Sequence, residues 1–259
     1  MTVSTFQRPS KRHPDILRLV REQGSYRVSD LAEEFGVTLE TIRRDIAPLA
    51  DSGQLIKLHG YVSMPQDAAL PPFQARMQEN PETKARIARA LAKLIEDDAS
   101  VMIEAGSTIN HIAKSLAVKS GLTVITNSLE VARILSAAPD SRVYIAGGEV
   151  RLDEGASLGR SAVDYIRQFT AQYGIISANA IDVRRGITRF EPLDAEFCGA
   201  LLDQCATKIL AIDASKFERE ALVQICEFSG IDILVTDARP ADELRSALEN
   251  AGVRIVLAD

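Results

Sequence analysis

Apolar positions fall into two regimes along this chain, one of helical spacing and one of alternating strand and helix. In the first, Ile16, Leu19 and Val20 share one face of a helix predicted over residues 14–22, opened by Pro14 and ended by Gly24. Leu31, Ala32 and Phe35 mark a second, shorter helix, with Ser29 placed to cap it and Gly36 to stop it. After the tight connection Gly36-Val37-Thr38, a third helix is predicted from Leu39 to about Asp51, with Thr38 as its N-cap and Ile42, Ile46 and Leu49 as its buried stripe. The segment GQLIKLHGYV that follows, residues 53–62, predicts a short strand, a turn and a second short strand. Two helices joined by so tight a turn, followed by such a hairpin, predict a winged helix-turn-helix over residues 1–62.

Residues 63–72, SMPQDAALPP, have no amphipathic period and predict a linker, extended to residue 79 where Asn80-Pro81 opens a strong helix on Ile87, Leu91, Leu94 and Ile95. From residue 80 to 259, runs rich in β-branched residues alternate with amphipathic stretches. Strands are expected at 100–104, 122–126, 142–147, 173–178, 208–213, 231–237 and 253–259, with helices near 108–118, 129–137, 194–205 and 241–250. This order predicts a Rossmann-like α/β domain, a mostly parallel sheet covered on both faces.

Ligands in such sheets bind beyond the carboxyl ends of the strands, so the loops there are the candidate site. The first offers Glu104, Gly106, Ser107 and Thr108 at the start of a helix, where backbone N–H groups, hydroxyls and the helix dipole suit a phosphate. The second offers Thr126, Asn127 and Ser128, and the third Gly147 and Gly148, which permit close backbone approach.

Charge sharpens the division. The net charge is −6 overall, yet residues 1–62 carry nine Lys/Arg against eight Asp/Glu, so the acidity is concentrated downstream. On the third helix Arg43 and Arg44 turn away from the Ile42 stripe, and Glu40 and Thr41 occupy its first turn. Those positions, with Thr38, would meet a major groove, while Lys57 and His59 on the wing would contact phosphates. Three cysteines (Cys198, Cys205, Cys226) without CxxC spacing and three scattered histidines (His13, His59, His111) suggest neither a disulfide framework nor a metal site. An apolar fraction of 46% and the absence of a signal-peptide core or an apolar run of spanning length lead us to expect a cytoplasmic protein that contacts no membrane.

The segment RVSDLAEEFGVTLETIRRDIAPLADSGQLIKLHG resembles the DNA-binding domain of the DeoR family of bacterial repressors, with DLAEEFGV, TIRRDI and LHG in the family's order. The resemblance continues through the strand-end loops, Ser177-Ala178-Asn179-Ala180, Gly186-Ile187-Thr188 and Asp213-Ala214-Ser215-Lys216-Phe217, and so covers nearly the whole chain. It implies a sensor domain similar in fold to ribose-5-phosphate isomerase and CoA transferases. Ser177, Asn179 and Lys216 join the candidate effector residues on this basis, Lys216 being the cation aimed at the effector's phosphate or a nearby acid. The resemblance further implies a repressor of a sugar or polyol catabolic operon, a homodimer or homotetramer on double-stranded operator DNA. A phosphorylated sugar or polyol would relieve repression, and no cofactor is implied. Four positions depart from the family pattern: Tyr61 where a second glycine is usual after the wing, Glu104 where Asp is more common, and Cys198-Gly199 where many members carry Lys-Arg. An enzyme reading competes, a sugar-phosphate isomerase or deaminase with Glu104, Asp194 or Glu196 as base. A nicotinamide-binding domain ranks last, because no GxGxxG follows any strand.

Overall fold

The computed structural model describes residues 12–23, 25–52, 54–58, 61–63 and 73–259. The chain divides into two compact units, residues 1–72 and 73–259. In the first, α1 (His13–Gln23) leads through β1 (Ser25–Arg27) into α2 (Val28–Glu34) and α3 (Leu39–Asp51), followed by β2 (Ile56–Leu58) and β3 (Tyr61–Ser63). The predicted stripes meet in one core: Ile16 and Val20 from α1, Leu31 and Ala32 from α2, and Ile42, Ile46 and Leu49 from α3 close on Leu55 and Val62.

The turn between α2 and α3 is a Schellman closure. Gly36 takes φ +61°, its N–H donates to the Glu33 carbonyl at 3.0 Å, and the Val37 N–H donates to the Ala32 carbonyl at 2.9 Å. Thr38 then caps α3, its hydroxyl accepting from the Thr41 N–H at 3.2 Å. Two local readings change. The wing sheet has three strands in the order β1-β3-β2, because Ser25–Arg27 pairs antiparallel with Tyr61–Ser63. Since β1 runs directly into α2, Arg27 holds the N-cap position and Ser29 lies inside the first turn, where its hydroxyl donates to the Asp30 carboxylate at 2.9 Å. Gly24, expected to end α1, lies outside the described residues.

The second unit begins earlier than expected. Residues 73–79 belong to the expected linker, yet Phe73–Gln78 forms a helix, α4. It is held by distant groups: the Asp153 carboxylate accepts from the Phe73 N–H at 2.9 and 3.1 Å, and Arg76 pairs with Glu154 at 2.8 Å. Residues 64–72 of the linker lie outside the described residues, and Ser63 ends the last wing strand.

Beyond α4 come α5 (Pro81–Ala92), β4 (Ser100–Ile103), α6 (Ser107–Leu116), β5 (Thr123–Thr126), α7 (Leu129–Leu135) and β6 (Arg142–Ile145). The hairpin β7 (Glu149–Arg151) and β8 (Ala156–Leu158), α8 (Arg160–Ile166) and β9 (Ala171–Ile176) follow. The chain continues through β10 (Ala180–Asp182), β11 (Gly186–Arg189), α9 (Pro192–Asp203), β12 (Cys205–Ala211), β13 (Val223–Cys226), β14 (Ile233–Thr236), α10 (Asp242–Asn250) and β15 (Arg254–Leu257). Seven strands form one parallel sheet in the order β6-β5-β4-β9-β12-β14-β15. Both faces are packed. On β4, Val101 and Ile103 join one cluster with Ile87, Leu91 and Ile112, whereas Met102 joins another with Phe197, Leu201 and Leu248. That two-sided burial is why the strands read as continuous apolar runs. Strand order reverses between β4 and β9, so a crevice is expected outside their carboxyl ends. Among the described residues, no helix is long and apolar enough to cross a membrane.

Candidate functional sites

On the first unit, burying Ile42, Ile46 and Leu49 leaves the opposite face of α3 in solvent. Thr38, Glu40, Arg43 and Arg44 are exposed there and Thr41 is half-buried. Thr38 and Thr41 also share a hydroxyl–hydroxyl contact of 2.8 Å, so both serve the helix start. Arg44 lies 3.8 Å from Glu40, and no ion pair engages Arg43 among the described residues. Leu39, at the first position of α3, is 40% exposed. Lys57 is exposed on β2, and His59 lies outside the described residues.

On the second unit, the crevice between β4 and β9 gathers several of the expected residues. The Glu104 carboxylate is buried and accepts from the Ser177 N–H at 2.5 Å and the Ser177 hydroxyl at 2.9 Å. Gly106 packs so close that an added Cβ would lie 3.2 Å from the Ser177 hydroxyl oxygen. Ser107 opens α6 without any side-chain cap on the helix, so its first N–H groups are available to an anion.

The cations come largely from positions the sequence reading missed. Lys84 of α5 is 3% exposed, and its ammonium donates to the Ser107 hydroxyl at 3.2 Å and the Arg76 carbonyl at 2.5 Å. Burial pulls its pKa down to about 8, against the pull of Asp213, with half-buried Lys216 close enough to lower it further. Lys216 is thus brought to the same end of the sheet as Ser107. Arg189, at the end of β11, bonds Glu104 directly, donates to the Ser177 carbonyl at 3.0 Å and lies 3.8 Å from Asp194. Burial raises the pKa of Glu104, opposed by the charge of Arg189 and the hydrogen bonds from Ser177. The Cys198 thiol points at the same carboxylate, 3.4 Å away, and burial raises its pKa too. A lysine on the apolar stripe of α5, three and seven residues before Ile87 and Leu91, is the sequence signal that would have found Lys84.

The second loop is differently employed. Thr126 accepts from the Ser128 N–H at 3.1 Å, and Ser128 caps α7 by accepting from the Val131 N–H at 3.2 Å. Asn127 donates to the Ser157 carbonyl at 3.0 Å. All three are buried and hold the loop against β8. Gly147 and Gly148 are exposed between β6 and β7. Asn179 accepts from the Phe190 N–H at 3.0 Å, closing the β10–β11 hairpin.

Comparison with known proteins accounts for both units. A model of the DeoR-like helix-turn-helix domain matches residues 12–67, and a model of the DeoR C-terminal sensor domain matches residues 79–238. The glycerol-3-phosphate regulon repressor of Escherichia coli K12 is 32% identical over 96% of this chain and 98% of its own. The transcriptional repressor AccR of Agrobacterium fabrum is 30% identical over 98% and 99%. Among solved structures, ribose 5-phosphate isomerase A from Methanocaldococcus jannaschii aligns over 54% of this chain and 55% of its own, with 11% identity and a TM-score of 0.39. A helix-turn-helix and a strand-end cluster with an uncapped helix start, each inside its matched segment, agree with the assignment the relatives support: the chain belongs to the DeoR family of transcriptional regulators.

Proposed function

We propose that this regulator represses a sugar or polyol catabolic operon and is released from its operator by a phosphorylated sugar or polyol held in the β4–β9 crevice. The observation that carries the reading is the pairing of an uncapped α6 start with two lysines, Lys84 and Lys216, in a domain whose remainder is acidic. Helix dipole, free N–H groups and lysine ammoniums together suit a phosphate dianion. Glu104 and Ser177, beside them, suit hydroxyls of the same molecule. The E. coli relative's name, a repressor of the glycerol-3-phosphate regulon, supports a small phosphorylated polyol as one member of the class.

In the DNA-binding unit, Arg43 is the base-reading candidate, with Glu40, Thr41 and Arg44 flanking it and Thr38 and Lys57 beside the phosphates. A homodimer or homotetramer would set two or more such helices on repeated half-sites, and effector binding would favour an arrangement that no longer matches their spacing. We read the crevice as binding without turnover. Oxygen Oε1 of Glu104 is shared by Ser177 and Arg189 and Asp194 is engaged by Arg151 at 2.9 Å, an arrangement that suits fixed hydrogen-bond acceptors better than a base for a carbon acid, and Glu196 is exposed on α9. Thermal unfolding of the full chain against phosphorylated sugars and polyols, with their unphosphorylated parents as controls, tests the proposal. A rise in Tm confined to phosphorylated compounds is the expected result. Equal shifts with the parents, or conversion of a sugar phosphate, would overturn it.

A further inference from the structure

Helix α4 has six residues, too few to hold together in water without support. Phe73 is its one buried residue, and a cavity of about 490 Å³ lies against it, lined in part by Met77, Asn110, Leu129 and Glu154. Polar tethers therefore do much of the holding. The Asp153 carboxylate takes the Phe73 N–H, Glu154 takes the Arg76 guanidinium, and the Lys84 ammonium takes the Arg76 carbonyl.

Two of these three tethers run on into the crevice. Lys84 also holds Ser107, the first residue of α6. Glu154 pairs with Arg151 at 2.9 Å, Arg151 with Asp194 at 2.9 Å, Asp194 with Arg189 at 3.8 Å, and Arg189 with Glu104. Helix α4 is also the first element after residue 72, where the preceding unit ends.

We infer that α4 is the output element of the crevice: an anion at the start of α6 draws the Lys84 ammonium from the Arg76 carbonyl, and α4 undocks. The inference rests on the effector reading above. A charged acceptor competes well against a neutral carbonyl for an ammonium. A short helix with a single buried residue sits at the low-stability end of the fold, where the loss of one tether shifts the population. Coupling of this kind is reciprocal, so loosening α4 must strengthen anion binding.

Amide hydrogen exchange on the full chain, with inorganic phosphate as the probe, tests this directly. Phosphate should speed exchange of residues 73–78 at least tenfold and leave β4 and β9 unchanged. Lys84→Met should show the fast exchange without phosphate and no further response to it. Arg76→Ala, which cuts the Glu154 tether outside the α6 cradle, should bind phosphate several-fold more tightly, whereas a merely structural arginine would leave binding unchanged or weaken it. A phosphate-induced rise in Tm with unaltered exchange at 73–78 overturns the gating and leaves the anion site standing. No rise in Tm and no change in exchange removes the anion site and the gating together.

Discussion

Replacing Arg189 with Met removes the cation that faces Glu104 at the base of the crevice. Both side chains are almost wholly buried, 6% and 3% exposed, so water cannot substitute for the lost partner. Glu104 keeps the Ser177 N–H and hydroxyl at 2.5 and 2.9 Å, but no opposite charge stays in contact with it. Removing one member of a buried pair costs about 3–5 kcal/mol. In a unit of the size of residues 73–259, that is a fall in Tm of about 6–20 °C. Burial already raises the pKa of Glu104, and without Arg189 nothing of comparable strength opposes it. An acid whose folded pKa lies above its unfolded value of 4.5 supports the fold most below that value and loses the contribution as pH rises through the folded pKa. The deficit of Arg189→Met should therefore be smallest near pH 5 and grow towards neutrality, and Arg189→Met with Glu104→Gln should recover most of the loss. Calorimetric unfolding of wild type, single and double variants across this pH range is the assay. A single variant within 1 kcal/mol of wild type, as an order of magnitude set against the buried-pair cost, or a double variant no better than the single, would refute the reasoning.

Three further outcomes are expected. Arg43→Ala should weaken operator binding by about 1–3 kcal/mol in a fluorescence anisotropy titration, with Tm unchanged, because the side chain is exposed and makes no ion pair among the described residues. Phosphate affinity should fall about tenfold per pH unit above pH 8, measured by calorimetric titration, because Lys84 with a pKa of about 8 is then losing the proton that makes it a cation; Lys84→Met should abolish this slope. Thr38→Ala should destabilise the first unit by about 1 kcal/mol in urea unfolding, through loss of the cap on the Thr41 N–H.

The parts of the fold legible in the sequence are those whose causes are local. Gly36 closing α2, Thr38 capping α3 and the Ile42-Ile46-Leu49 stripe all act within a few residues, and each stands where the spacing placed it. The central strands of the parallel sheet were legible because burial on both faces makes them largely apolar, and the partly exposed edge strands β6 and β15 were legible from their own β-branched residues. The short strands β7, β8, β10 and β13 lie outside the parallel sheet and lack its apolar runs, and β1 is defined by its pairing with β3. The same contrast divides the crevice. Glu104, Gly106 and Ser107 announce themselves as a strand end running into a helix. Arg189 and Arg76 owe their roles to Glu104 and Glu154, which lie 85 and 78 residues away in the chain, a separation no local pattern encodes. Thr126 and Ser128 carry the right chemistry for a ligand, and in the folded unit they accept from the backbone of their own loop.

The central claim is that one chain reads a specific duplex and lets go of it when a phosphorylated effector occupies the crevice. Selecting duplexes from a random pool with the full chain, then titrating the enriched duplex by anisotropy with each phosphorylated sugar or polyol and its parent, tests both halves together. The account predicts an enriched site whose binding falls steeply with salt and is lost on adding a phosphorylated compound but not its parent. Failure to enrich any duplex, or an enriched duplex that every phosphorylated compound leaves bound, would contradict it.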